Sequence, residues 1–123
     1  MMARLSTHVL DTANGRPAAG MRVSLYACEG ESRQLMKTAI TNPDGRTDEP
    51  LLAGERLPTG VYELVFSVGE YFAAPGAVPG SGTAGAPPFL GDVVVRFGVA
   101  DTGANYHVPL LVSPYAYSTY RGS

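Results

Sequence analysis

The chain has one cysteine, Cys28, no tryptophan, and only two histidines, His8 and His107. A lone cysteine excludes an internal disulfide and fits a reducing compartment. No His or Lys stands beside Cys28 to lower its pKa, so it reads as an inert, half-buried thiol. Long hydrophobic runs are also missing. The longest, at 93–95 and 108–112, fall far short of the roughly 20 apolar residues a membrane-crossing helix needs.

Charge of either sign is sparse. Nine Lys and Arg stand against eleven Asp and Glu, a formal net charge of -2, and both signs are scattered. Without a basic patch, nucleic-acid binding has no electrostatic basis, and there is no acidic tail. Residues 1–6 contain one basic side chain, Arg4, but no apolar stretch or small-residue cleavage site follows, so they do not read as a secretory signal. Together these features predict a cytoplasmic protein with neither a nucleic-acid nor a membrane partner.

The length of 123 residues predicts a single domain over 1–123. A domain of this size buries about 65% of the surface its unfolded chain exposes. That suffices for one core, but not for a deep cavity inside one subunit, so a substrate pocket is more easily built where subunits meet.

Glycine and proline are plentiful, at 15 and 10 residues, and they divide the chain into short alternating segments. Along 5–10, Leu5, Thr7 and Val9 share one face, and Ser6, His8 and Leu10 the other. Segment 21–27 sets Met21, Val23, Leu25 and Ala27 against Arg22, Ser24 and Tyr26. Segment 34–41 places Met36, Thr38 and Ile40 on its more apolar face. Asn42-Pro43-Asp44-Gly45 is a strong turn signal, since Pro presets φ and Gly tolerates the left-handed region.

Further strands are predicted over 61–68, 92–99, 106–113 and 115–120, with a single helical turn at 70–74. The Gly/Pro-rich stretch at 75–88 has no periodicity and reads as an exposed, mobile loop. No segment of ten residues carries a 3.6-residue period. Seven or eight short strands with frequent turns predict an all-β antiparallel sandwich or barrel.

Few residues can carry chemistry. His107 alternates opposite Tyr106, Val108, Leu110 and Val112, and His8 alternates opposite Leu5, Thr7 and Val9. Both imidazoles therefore face away from the predicted core, where a ring with a pKa near ~6.5 can exchange a proton near neutral pH. Solvated surface histidines would give the same pattern. Arg46 follows the turn, and its planar fork can clamp a carbonyl-rich or anionic ligand, although Asp48 and Glu49 could simply neutralise it.

The polar C-terminus, residues 117–123, puts Ser118, Tyr120 and Gly122 on one face. Chain ends fray unless tied down, so a strand here needs the adjacent sheet or a second subunit to order it. There is no Gly-x-Ser-x-Gly elbow, and Gly80-Ser81-Gly82 is low-complexity loop, not a nucleotide fingerprint. Two histidines and a carboxylate could hold a metal, but nothing in the spacing demands one.

The same segments resemble the 5-hydroxyisourate hydrolases of the transthyretin-like family. Leu5-Ser6-Thr7-His8-Val9-Leu10-Asp11, with Gly15 and Pro17 after it, is similar to their opening motif. Thr41-Asn42-Pro43-Asp44-Gly45-Arg46 is similar to their central turn. Tyr71-Phe72 and the stretch from Pro88-Phe89-Leu90 to Arg96-Phe97 follow the family outline. Tyr106-His107-Val108-Pro109-Leu110-Leu111, Ser113-Pro114 and residues 117–123 resemble its closing motifs. The terminal Tyr120-Arg121-Gly122-Ser123 is the most specific piece, because it separates the hydrolases from transthyretin, the hormone carrier of the same fold. The departure is the loop 75–87, longer and richer in Gly and Pro than is usual for the family.

The resemblance implies a transthyretin-like (prealbumin-like) two-sheet antiparallel sandwich of about eight strands with one short helix. It implies a homotetramer, a dimer of dimers formed through edge-strand pairing, with active sites in the channel between dimers. The implied activity is hydrolysis of 5-hydroxyisourate in urate (purine) catabolism, with no metal and no cofactor. The implied catalytic residues are His8, Arg46, His107 and Ser123, with Ser118, Tyr120, Arg121 and Gly122 binding substrate. Two other readings compete. A small-ligand carrier would not need the His, Arg and terminal constellation. A structural sandwich used for protein contacts would show an exposed apolar patch in place of clustered titratable groups.

Overall fold

A computed structural model describes residues 3–73 and 86–122. The alternating segments become strands β1 (Ala3–Ser6), β2 (Val9–Asp11), β3 (Arg16–Pro17), β4 (Arg22–Glu29), β5 (Ser32–Ile40), β6 (Leu52–Gly54) and β7 (Gly60–Phe66). Helix α1 (Val68–Ala73) follows, then β8 (Val93–Val99), β9 (Tyr106–His107), β10 (Leu110–Val112) and β11 (Tyr117–Thr119). The loop expected at 75–88 lies largely outside the described residues, as does Ser123. Among the described residues no helix is long and apolar enough to cross a membrane.

One layer is the sheet β5-β4-β7-β8, antiparallel throughout. The other is a broken sheet, β6-β1-β9 at one end and β11-β10-β2-β3 at the other. The breaks fall after Ser6 in the first strand run and after His107 in the ninth. The sandwich expected from sequence is present, with one refinement. β1 pairs with β9, and β2 with β10, in parallel, within an otherwise antiparallel fold.

The core forms where the inner faces meet. Leu5, Val9, Leu110 and Val112 from the broken sheet pack with Val23, Leu25, Leu64 and Phe66 from the other in one buried cluster. Each such side chain contributes roughly 1.5–3 kcal/mol relative to leaving it in water. The predicted inward set Tyr106, Val108, Leu110 and Val112 is buried throughout. Its partner faces, carrying Ser6, His8, Leu10, His107 and Leu111, are half-buried.

One face assignment is corrected. Met36 and Ile40 point outward and are exposed, while Ala39 packs on the core and Thr41 is buried. The cause is the pairing register with β4; a bulge further along, where Leu25 pairs with Lys37 but Tyr26 with Leu35, makes Met36 an extra residue in β5. Thr38 and Ile40 lie opposite Ser24 and Arg22, which already face solvent. The buried Thr41 hydroxyl donates to the Ala18 carbonyl and accepts from the Met21 N–H. That polar pairing draws its side of the strand inward.

Helix α1 is tied to the broken sheet by a buried carboxylate. Asp11 accepts hydrogen bonds from the Tyr71 hydroxyl at 2.7 Å and from the Asn14 side chain and N–H at 2.7 and 2.9 Å. Burial alone would raise the Asp11 pKa. The hydrogen bonds from Asn14, Tyr71 and the Ala13 main chain outweigh it and hold the pKa below 3.8. Burial and the Asp11 carboxylate push the Tyr71 phenol up to about 12.

A folded-state pKa below the unfolded one stabilises the fold above the unfolded value. This contribution is therefore lost as pH falls below 3.8 and through the lower folded value. Tyr71→Phe removes a hydrogen bond to a charged acceptor and is expected to cost about 1.5–3 kcal/mol in urea unfolding at pH 7. A cost below about 0.5 kcal/mol would show that the tether is not stabilising.

Candidate active site

The breaks in the sheet create the site. At the first, the main chain of His8 forms an isolated antiparallel bridge with Arg46. At the second, His107 forms one with Gly122, whose N–H donates to the His107 carbonyl at 2.8 Å. Between them, β1 and β9 pair with Ser6 directly opposite His107. Five residues spread over more than a hundred positions, Ser6, His8, Arg46, His107 and Gly122, are thus brought together along one sheet.

The Arg46 corner is built by its turn. The Gly45 N–H donates to the Asn42 carbonyl, and the Asn42 side-chain oxygen accepts from the Asp44 and Arg46 N–H groups. Gly45 has φ +76° and lies against Val9, so a side chain there would strike the Val9 carbonyl. The Val9 N–H donates to the Gly45 carbonyl at 2.8 Å and locks the turn beside His8.

The two imidazoles are held differently. His8 Nε2 lies 2.9 Å from the Asp44 main-chain carbonyl. A carbonyl only accepts, so His8 Nε2 carries a proton and donates. His107 Nδ1 lies 2.9 Å from the Ser6 hydroxyl. On the ring's other edge stands the Gly122 main chain, so close that a Cβ there would come within 2.6 Å of His107 Cδ2. With Nδ1 and Cδ2 both flanked by neighbouring strands, Nε2 at the far end of the ring points off the sheet.

Burial, then the Arg46 guanidinium, then His8 push the His107 pKa below the ordinary 6.5, against an opposing main-chain hydrogen bond to Ser6. His107 is therefore neutral at physiological pH and able to accept a proton. A neutral imidazole, a second imidazole and a guanidinium over an open, wettable face can activate water and stabilise an oxyanion.

The remaining sequence-predicted residues are placed less centrally. Ser118 pairs with Leu111 across β10–β11 and is exposed, and Tyr120 is exposed beyond it. The Arg121 guanidinium stacks 4.2 Å over the Tyr106 ring and donates to the Asn105 carbonyl. Tyr106 precedes His107 in a strand, so Arg121 engages the opposite face from the imidazole. Sequence reasoning assigned no role to Ser6 or to the Asp44 carbonyl. Ser6 was discoverable as a neighbour of His8 on the same face. The Asp44 contact is main-chain and leaves no residue-type signal.

The HIUase/Transthyretin family model matches residues 5–122. A 5-hydroxyisourate hydrolase 2 of Rhizobium meliloti (strain 1021) is 55% identical, over 98% of this chain and 96% of its own. Among solved structures, a Klebsiella pneumoniae 5-hydroxyisourate hydrolase superposes with TM-score 0.76 at 33% identity, covering 98% of this chain and all of that one. An (S)-allantoin synthase superposes with TM-score 0.86 at 43% identity over 99% of this chain, which spans 44% of that longer protein.

Proposed function

This chain belongs to the HIUase/transthyretin family, and we propose that it hydrolyses 5-hydroxyisourate to 2-oxo-4-hydroxy-4-carboxy-5-ureidoimidazoline in urate catabolism. The observation that carries the reading is the convergence of neutral His107, His8 and Arg46 at the breaks of one sheet. A carrier of the same fold has no need of such a set.

In the reaction, water adds to a ring carbonyl carbon and the adjacent C–N bond opens. Water is a weak nucleophile at neutral pH, so a base must take its proton. His107 fills that role, because burial and Arg46 keep its ring neutral and Ser6 occupies its Nδ1, which leaves Nε2 for the water. The imidazolium then delivers the proton to the departing ring nitrogen. Arg46 donates to the oxyanion that forms when water adds. With its proton committed to Asp44, His8 has the Nδ1 lone pair to offer and accepts from a substrate N–H or hydroxyl, and Ser118, Tyr120 and Gly122 flank the substrate on the same face. The scheme requires neither metal nor cofactor.

The site lies on an open sheet face, so a second surface must close over it. We assign that role to other copies in a homotetramer, a dimer of dimers. The exposed Tyr120, beyond Ser118 at the end of β11, supports this, since a large exposed ring gains from being covered by a partner surface. Light scattering should give about four times 12.9 kDa, and a monomeric mass would remove the assembly. A single unpaired Cys28 suits the cytoplasm.

The direct test is to generate 5-hydroxyisourate freshly from urate and follow its ultraviolet decay. Decay should accelerate in proportion to added protein. A decay rate equal to the protein-free control would end the assignment.

A further inference from the structure

Ser6 stands out among polar groups for which the reaction has so far supplied no use. It is half-buried, sits opposite His107 in the β1–β9 pairing, and places its hydroxyl 2.9 Å from His107 Nδ1. On the other edge of the ring runs the Gly122 main chain, so near that a Cβ there would meet His107 Cδ2. The ring is gripped at both edges, and the hydrogen bond on one of them decides which nitrogen holds the proton.

We propose that Ser6 is a positioning residue whose hydroxyl oxygen accepts a hydrogen bond from His107 Nδ1–H, holding the lone pair on Nε2. This rests on the reading of His107 as the base. A neutral imidazole carries one proton, on either nitrogen, and only the form protonated at Nδ1 offers a lone pair to water at Nε2. Once Nε2 has taken the water's proton, the imidazolium still donates from Nδ1. One acceptor at Ser6 therefore serves both protonation states, and the ring need not turn during turnover.

The hydrogen bond has a second consequence. An acceptor at Nδ1 favours the imidazolium. The Arg46 guanidinium and His8 are the charged and titratable groups acting on the ring in the opposite sense. Removing the Ser6 hydroxyl takes away this acceptor, while the main-chain contribution of Ser6 stays, and moves the titration of His107 to lower pH.

The test compares Ser6→Ala with Ser6→Thr, which keeps the hydroxyl on the same carbon. Ser6→Ala should lower kcat roughly 10- to 100-fold, with KM little changed, and shift the acid limb of the rate profile to lower pH. Ser6→Thr should restore most of the rate. Nitrogen-15 chemical shifts of the neutral His107 ring, read without substrate, should show Nδ1 protonated in the native protein and Nε2 gaining proton character in Ser6→Ala. A native ring protonated on Nε2, an unchanged kcat in Ser6→Ala, or a loss that Ser6→Thr fails to restore would each overturn the proposal. The ring measurement needs no substrate, so its outcome stands apart from whether the protein acts on 5-hydroxyisourate.

Discussion

His107→Asn is expected to lower kcat by about 10²-fold or more, with KM within a few-fold of the native value. Asparagine is close to the imidazole in size and keeps a polar atom near the Ser6 hydroxyl, so the half-buried site stays filled. It has no titratable nitrogen, so water must be deprotonated without a positioned base. The pH profile should change in parallel. Burial, Arg46 and His8 hold the native ring below 6.5. The native kcat/KM should therefore stay level down through 6.5 and fall only as pH passes the lower value, where the base becomes protonated. The variant should lose that limb. A His107→Asn enzyme with native turnover would hand the role to another group, with His8 next in line.

Arg46→Ala is expected to lower kcat/KM by roughly 10²- to 10³-fold, the usual effect of deleting an oxyanion donor. Arg46→Lys should recover part of this, because the ammonium keeps the charge but not the planar two-pronged fork. The Arg46 side chain is exposed and its turn is held by main-chain bonds, so thermal unfolding should move little. A second effect follows from the charge. Arg46 is one cause of the lowered His107 pKa. Its removal should raise that pKa toward 6.5 and move the acid limb to higher pH, opposite to the shift expected for Ser6→Ala. Arg46→Ala with native kcat/KM and an unmoved limb would place the guanidinium away from the reacting atoms.

Much of this architecture is legible in the sequence because alternation reports directly on which face of a strand is buried. The sets Leu5, Thr7, Val9 and Tyr106, Val108, Leu110, Val112 are inward as read, and both histidines face the other way. The turn at 42–45 was readable for a different reason. Asn, Pro and Gly each impose local backbone preferences, and these act over four residues without help from the rest of the chain.

The failures share one cause. The outward face of Ile40 and Thr38 depends on their register opposite Arg22 and Ser24, and a register is a relation between two strands, not a property of either. The stacking of Arg121 on Tyr106 likewise depends on where the last segment crosses β9. No periodicity within residues 115–123 could report it.

The sequence by itself determined that this is a small all-β domain and that its two imidazoles and the turn arginine lie off the core, because side-chain alternation and turn chemistry are local. Only the tertiary structure decided that they meet. The parallel pairing of β1 with β9 joins residues about a hundred positions apart, and it alone sets Ser6 against His107. Which strand lies beside which is chosen by the burial of the whole core at once. Alternation tells a residue which way to face, but not whom it will face.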